Sequence, residues 1–262
     1  MARSKKRIVF KFGTGILTSK GGNSLDLPQI RRLVSEVSSL VKDGAECAIV
    51  SSGAVGAGMM RLGIPQRPSD LPTKQACAAV GQSRLMGLYD GEFGKHGLGV
   101  AQLLLTHQDL DSRGRYQNAQ NTLNRLWQTG EIVPIINEND SVAVEELRFG
   151  DNDRLSSEVA ILAHADLLVI LTSVEGLLQP VRDGHKLVKV VRDVDAVAGY
   201  ATNTTGSLSV GGMVSKLQAV KVAVQAGVPV IIASGRTPGV ISAAAGGRSV
   251  GTRFVPAKQA SR

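Results

Sequence analysis

Two lysines, each beside glycines, are the residues of this chain best suited to chemistry. Lys11 closes an apolar run (Ile8 to Phe12) just ahead of Gly13-Thr14-Gly15. Lys216 sits in the first turn of a helical stretch entered through Gly206-Ser207-Leu208-Ser209-Val210-Gly211-Gly212-Met213. A lysine near the end of a buried strand is costly unless its charge is paired or meets an anion. Glycines beside it let a phosphate approach backbone N–H groups. A glycine-rich entry into a helix adds the helix dipole and free N–H groups, which together with a lysine make a candidate polyphosphate cradle. Each segment also has a plainer reading: Lys11 as an edge-strand lysine before a turn, and Lys216 as a solvated lysine behind a surface loop. Neither is a Walker A loop, since Gly-Lys followed by Thr or Ser does not occur.

Two further clusters are polar without lysines. Ser51-Ser52-Gly53-Ala54-Val55-Gly56-Ala57-Gly58 runs from an apolar stretch through small residues toward a helix. That order places hydroxyls and a helix N-terminus where a carboxylate or phosphate could bind; a close-packed helix start would read the same way. Asn137-Glu138-Asn139-Asp140 is followed ten residues on by Gly150-Asp151-Asn152-Asp153. Such a pair could grip an amino acid's ammonium and α-carboxylate, or organise lysines and Mg²⁺. One patch alone would be an Asx turn plus an N-cap, a role that suits Asp153 ahead of a helix. The pair favours a site.

The absences narrow the chemistry. His96, His107, His164 and His185 fall outside these clusters, which speaks against a histidine base or metal centre, and there is no Gly-x-Ser-x-Gly elbow. Cys47 and Cys77 lack metal-ligand spacing and read as small buried hydrophobes rather than a disulfide. Lysines and glycines with few acid–base groups point to phosphoryl transfer, which is mostly positioning and charge neutralisation. A carboxylate acceptor, with a reference pKa of about 4.3, is already ionised near neutral pH and needs no general base.

The elements that must hold these residues follow from hydrophobic patterning. Short β-rich runs alternate with helical stretches: strands at Ile8 to Phe12, Cys47 to Val50, Val100 to Leu105, Ile132 to Ile136, Leu167 to Leu171, Val228 to Ile232 and Val250 to Val255. Between them come helices opened by Pro28 and spanning about 73–89, 116–128, 153–163 and 213–226, with a small hairpin over 142–149. This is the pattern of an α/β fold, a three-layer α/β/α sandwich with a mainly parallel central sheet, in which ligands bind beyond the strands' C-terminal ends. Pro134 counts against a central position for its strand. One domain over 8–256 is the simplest division, with flexible tails at 1–7 and 257–262.

With 43% hydrophobic and 20% charged residues the 262-residue chain resembles an ordinary soluble protein. No window approaches the roughly 18 apolar residues of a membrane-spanning helix, and nothing resembles a signal peptide. A cytoplasmic location and no membrane partner are the expectation. The formal charge of +8 owes four charges to Arg3, Lys5, Lys6 and Arg7, and only 3% of residues are aromatic, too few for a base-stacking platform. The excess fits a small anionic substrate, and no nucleic-acid partner is expected.

The segments KFGTGILT, IVSSGAVGAG, KQACAAVGQSRLM, VPIINENDSVA, FGDNDRLS, GGMVSKLQAV, PGVI and SVGTRF occur in order along nearly the whole chain. In them the chain resembles the amino-acid kinase family. INEND followed by GDND is similar to its glutamate-phosphorylating branch, as against the aspartate, acetylglutamate and uridylate kinases. The resemblance implies ATP and Mg²⁺ as cofactors, L-glutamate as substrate, and γ-glutamyl phosphate as product at the head of proline biosynthesis. It further implies a reductase as functional partner, proline as feedback inhibitor, and a dimer or tetramer. By the same resemblance Lys11 and Lys216 neutralise the transferring group while Asp153 holds them. Ser52, Gly53, Ala54, Asn137, Asp140, Asp151 and Asn152 bind glutamate. Gly13, Thr14, Thr172, Ser173, Val210, Gly211, Gly212 and Met213 join the lysines around the nucleotide, and no metal ligand is assigned. Thr172-Ser173-Val174-Glu175-Gly176-Leu177-Leu178-Gln179-Pro180 departs from the family's Thr-Asp, Gly-Leu-Tyr and Asp-Pro, which bears on nucleotide preference. Many members carry a further C-terminal RNA-binding-like (PUA) domain, which this chain is expected to lack. Its rivals are a sibling kinase with another acceptor, a non-catalytic amino-acid sensor, and a basic nucleic-acid binder.

Overall fold

The computed structural model describes residues 5–19, 24–142, 152–201 and 212–256. Its frame is an eight-stranded sheet. In chain order the strands are β1 (Arg7–Phe12), β2 (Glu46–Ser51), β3 (Gly99–Leu105), β4 (Ile132–Glu138), β5 (Leu167–Thr172), β8 (Val190–Val191), β9 (Val230–Ser234) and β10 (Thr252–Phe254). They lie side by side as β3-β4-β2-β1-β5-β9-β10-β8. The first six in that row pair parallel, and only β10 runs antiparallel to β9. A separate two-stranded hairpin, β6 (Leu178–Val181) with β7 (Gly184–Leu187), was not expected from the sequence.

Strand alternation sorts the core into two layers. Ile8, Phe10 and Phe12 of β1 face one side, against Leu85, Tyr89 and Phe93 of helix α4 (Leu71–Gly94) and Ile30 and Leu33 of α2 (Leu27–Lys42). Val9 faces the other, against Leu123 and Trp127 of α6 (Arg113–Thr129), Leu155 and Val159 of α7 (Asn152–Leu162), and Val220 of α8 (Met213–Gln225). Lys11 shares the parity of Val9. Both cysteines are buried thiols. No helix among the described residues is long and apolar enough to cross a membrane.

Local signals set the helix starts. Asp26 caps α2 by accepting from the Gln29 N–H at 3.1 Å, with Pro28 in the first turn. Asp70 does the same for α4 through Thr73 at 2.9 Å, so that helix begins at Leu71, ahead of the expected residue 73. Pro134 is a correction: its strand is interior, second from the edge. The sheet tolerates it because β2 pairs with β4 only from Ile135 onward, past the residue that has no N–H to give. The expected hairpin over 142–149 falls almost wholly outside the described residues.

The first helix pair after β2 is set by glycines. Helix α3 (Ala54–Leu62) crosses α4 so closely that a Cβ on Gly58 would lie 1.8 Å from the Cys77 carbonyl oxygen. One on Gly81 would lie 1.7 Å from the Ala54 carbonyl oxygen. Only glycine permits that approach.

Candidate active site

The ends of β1, β2, β4 and β5 converge on one edge, and the polar clusters lie there. Lys11 is in β1, between β2 and β5 and therefore interior rather than at a sheet edge. Its ammonium is 2.5 Å from Asp153 Oδ1, while Lys216 Nζ of α8 is 3.0 Å from Asp153 Oδ2. Both lysines are 6% exposed and Asp153 is fully buried. Asp153 lies inside α7, which begins at Asn152, and its carboxylate faces the lysines rather than capping the helix. Burial alone would raise that carboxyl, but the two ammonium charges outweigh it and hold its pKa down to about 2. The three side chains together carry one net positive charge. In a buried setting this favours an anion alongside.

The β1–β5 edge supplies the approach to that centre. Gly13 donates its N–H to the Leu171 carbonyl at 3.3 Å, and a Cβ there would come 3.6 Å from Lys11 Nζ. Thr14 opens the short helix α1 (Thr14–Leu17), and a Cβ on Gly15 would lie 3.7 Å from Ser173 Oγ. Thr172, the last residue of β5, is buried beside them. Gly212 stands at the N-cap of α8 with no side-chain cap, and Met213 is the first helical residue. Asp151, Val210 and Gly211 lie outside the described residues.

On the other side, β2 runs into α3 through Ser52 and Gly53. Gly53 adopts φ +102°, a left-handed geometry that favours glycine, and no side chain caps α3, which begins at Ala54. From here a chain of hydrogen bonds crosses the edge. Asn152 Nδ2 donates to the Ser51 carbonyl at 2.9 Å and to Asn137 Oδ1 at 2.8 Å, and lies 3.2 Å from Ser52 Oγ. Asn137 Oδ1 also accepts the Glu138 N–H at 2.9 Å, and Asn137 Nδ2 donates to Gln82 Oε1 at 2.8 Å. Below, Ser51 Oγ and the buried Tyr89 hydroxyl are 2.8 Å apart. A cavity of about 390 Å³ opens next to this chain, with Gln82, Gln102, Glu138, Asn139 and Asp140 in its wall.

Asp140 is half-buried there. Burial pushes its carboxyl up to about 6, against the opposing charge of Arg67. Gln82 and Tyr89 were not picked out from the sequence. They stand seven residues apart on α4, and polar side chains at that spacing among Ala78, Leu85 and Phe93 are the signal that could have marked them.

Residues 6–234 match the amino acid kinase family. The chain is 46% identical over 261 residues to a glutamate 5-kinase of Geobacter metallireducens, covering 97% of this chain and 69% of that one. It is also 46% identical over 256 residues to a glutamate 5-kinase of Thermus thermophilus, covering 96% and 68%. Among solved structures, carbamate kinase from Giardia lamblia bound to AMP-PNP superposes with a TM-score of 0.66 at 17% identity, over 97% of this chain and 99% of that one. UMP kinase from Bacillus anthracis gives 0.64 at 17%, over 97% of each. At that identity the two structures speak for the fold alone.

Proposed function

The chain belongs to the amino acid kinase family, and we infer that it transfers the γ-phosphoryl group of ATP to the side-chain carboxylate of glutamate, opening proline biosynthesis. The observation that carries this reading is the buried Lys11–Asp153–Lys216 triad, joined through Asp153's neighbour Asn152 and then Asn137 to Gln82 in the wall of a polar cavity. Phosphoryl transfer asks for charge neutralisation on the equatorial oxygens and in-line placement of the acceptor. In this reading Lys11 and Lys216 face those oxygens, and Asp153 holds both ammonium groups so that they need no reorganisation during the reaction. Gly13, Thr14, Thr172, Ser173, Gly212 and Met213 line the nucleotide side. Ser52, Gly53, Ala54, Asn137, Asp140 and Asn152 line the amino-acid side. The acceptor arrives ionised, so the absence of a histidine among these residues is no obstacle.

Mg²⁺ enters this reading as a companion of the nucleotide. No group of three His, Cys, Asp or Glu side chains converges as a metal cage among the described residues. Asp153 is already engaged by both lysines. That donor set fits Mg²⁺ held through phosphates and water, its usual mode in kinases, and no described side chain is assigned to it. The ion would neutralise phosphate charge when bound.

We extend the reading to its partners. The acyl phosphate product is labile and calls for a reductase that consumes it. Proline shares glutamate's α-carboxylate and cationic amine, which suits it to compete at the same pocket. A cytoplasmic homo-oligomer of two or four chains completes the proposal.

The direct test is hydroxamate formation from ATP, Mg²⁺ and glutamate in hydroxylamine, with aspartate and N-acetylglutamate as parallel acceptors. Product from glutamate alone is the expected result. Folded protein that binds glutamate but yields no hydroxamate would make it a sensor instead.

Asp140 adds a pH test. An ammonium is attracted only by the charged carboxylate, which forms as pH rises through about 6. At saturating ATP, kcat/KM for glutamate, which reports ionisations of the free enzyme, is expected to fall below that pH. In Asp140→Asn the dependence disappears. Asp140→Ala is expected to raise the glutamate KM on the order of tenfold to a hundredfold and to leave that for ATP nearly unchanged. Equal effects on both substrates would remove Asp140 from the amino-acid side.

A further inference from the structure

The hydrogen-bond chain across the site has a defined direction, and two backbone groups set it. The Ser51 carbonyl can only accept, so the Asn152 atom facing it at 2.9 Å must be the amide nitrogen. The Glu138 N–H can only donate, so the Asn137 atom facing it at 2.9 Å must be oxygen. Asn137 therefore turns its nitrogen toward Gln82, and Gln82 must answer with Oε1 at 2.8 Å. No flip of the three amides satisfies both backbone groups in another way. Gln82 Nε2 is thus left as the donor end of the chain, buried and without a hydrogen-bond partner among the described residues, on a residue that lines the 390 Å³ cavity. A buried amide nitrogen left without an acceptor costs about 1–3 kcal/mol. Held in place by three amides in series, it fits a group that only a ligand supplies.

We propose that Gln82 Nε2 is the donor that recognises the α-carboxylate of the bound amino acid, a contact that rests on the glutamate reading above. The opposite end of the chain, Asn152, is the direct neighbour of Asp153, so the reacting carboxylate belongs at that end, by the lysines. Gln82 marks the far end, and the carboxylate that does not react belongs there. The ammonium falls to Asp140 in the same wall. Gln82 is held on its other flank by Gly81, whose contact with α3 sets how deep this stretch of α4 sits. It binds without touching the transferring group, so its contribution is to the ground state and the transition state alike.

The test is steady-state kinetics of the full chain with glutamate and ATP, comparing Gln82→Glu and Gln82→Ala with the parent. Gln82→Glu keeps an oxygen for Asn137 to donate to and replaces the donor by an anion. It is expected to raise the glutamate KM at least about tenfold, the loss of a hydrogen bond to a charged group, with kcat and the ATP KM within about twofold. Gln82→Ala removes both atoms and is expected to raise the glutamate KM as well. An unchanged glutamate KM in Gln82→Glu overturns the proposal, and impairment confined to Gln82→Ala would show that Gln82 serves only to hold Asn137. A fall in kcat at constant KM would also overturn it, by placing Gln82 at the reacting carboxylate. The ATP KM of each variant reports whether the fold is intact. A parent chain that fails to phosphorylate glutamate defeats the functional reading itself, which is a separate result from a parent that works and a Gln82→Glu variant that works equally well.

Discussion

Lys216→Met is expected to lower kcat by about two to three orders of magnitude, the range found when one donor to a developing negative charge is removed. The glutamate KM should change far less than kcat, because Lys216 meets charge that develops during transfer and is not among the residues lining the cavity. A kcat within tenfold of the parent, in folded protein, would remove Lys216 from the transfer step. The fold should survive, because Asp153 keeps Lys11 at 2.5 Å. Asp153→Asn is the informative contrast. It leaves two buried ammonium groups facing each other, and breaking a buried ion pair from one side costs about 3–5 kcal/mol. The pH dependence separates the roles further. Asp153 is held below its unfolded value of 3.8, at about 2, so its stabilisation is complete above pH 3.8 and is lost as pH falls toward 2. Acid unfolding of Asp153→Asn should lack that limb.

Among the described glycines, Gly81→Ala is expected to be the most damaging single methyl to add. The new Cβ would sit 1.7 Å from the Ala54 carbonyl oxygen and 2.4 Å from the Gly58 nitrogen, and backbone cannot swing aside as a side chain would. Overpacking a core costs typically about 1–3 kcal/mol, and a backbone-on-backbone clash belongs at or above the upper end. At this chain length that is a Tm fall of about 6–12 °C. Gly58→Ala meets the Cys77 carbonyl oxygen at 1.8 Å in the same crossing. The double variant should therefore cost less than the sum, because the first methyl already opens the helix pair. Gly56 in α3 has open space around a built Cβ. Gly56→Ala should leave Tm unchanged or raise it, by the usual helix preference for alanine. Thermal unfolding of the four variants decides the matter; a Gly81→Ala melting within 2 °C of the parent, an interval of about 0.5–1 kcal/mol, would mean that α3 and α4 separate freely. Opening this crossing also shifts Ser52 to Ala54 and Gln82, so glutamate binding should weaken together with stability.

The sheet and most of its helices were legible because their signals are local. The apolar run at Ile8 to Phe12 marked the strand that carries Lys11, and the one at Leu167 to Leu171 announced a strand that is fully buried. Pro134 misled for a local reason too: its missing N–H was visible, while the neighbour that begins pairing one residue later was not. The hairpin at β6 and β7 was missed because Pro180 and the surrounding polar residues carry little strand signal. At the site, glycines, lysines and Asn/Asp clusters drew notice by type. Gln82 did not, since a glutamine in a helix is ordinary until its partners are known. Gly81 was passed over for the same reason, as one small residue among alanines.

The sequence by itself determined where the strands end, which residue types gather at those ends, and hence that lysines, amides and carboxylates were available for phosphoryl transfer to an ionised acceptor. Those are properties of neighbours along the chain, and short-range sterics and hydrophobic periodicity suffice for them. Tertiary structure alone decided which of them meet. Lys216 reaches Asp153 across 63 residues of sequence, and Asn152 reaches Ser51 across 101. The first joins α8 to α7 and the second α7 to β2, segments that only the packed fold brings together. A lysine's charge means little until its counter-charge and its burial are known, and both are set by contacts between segments that the sequence does not place together.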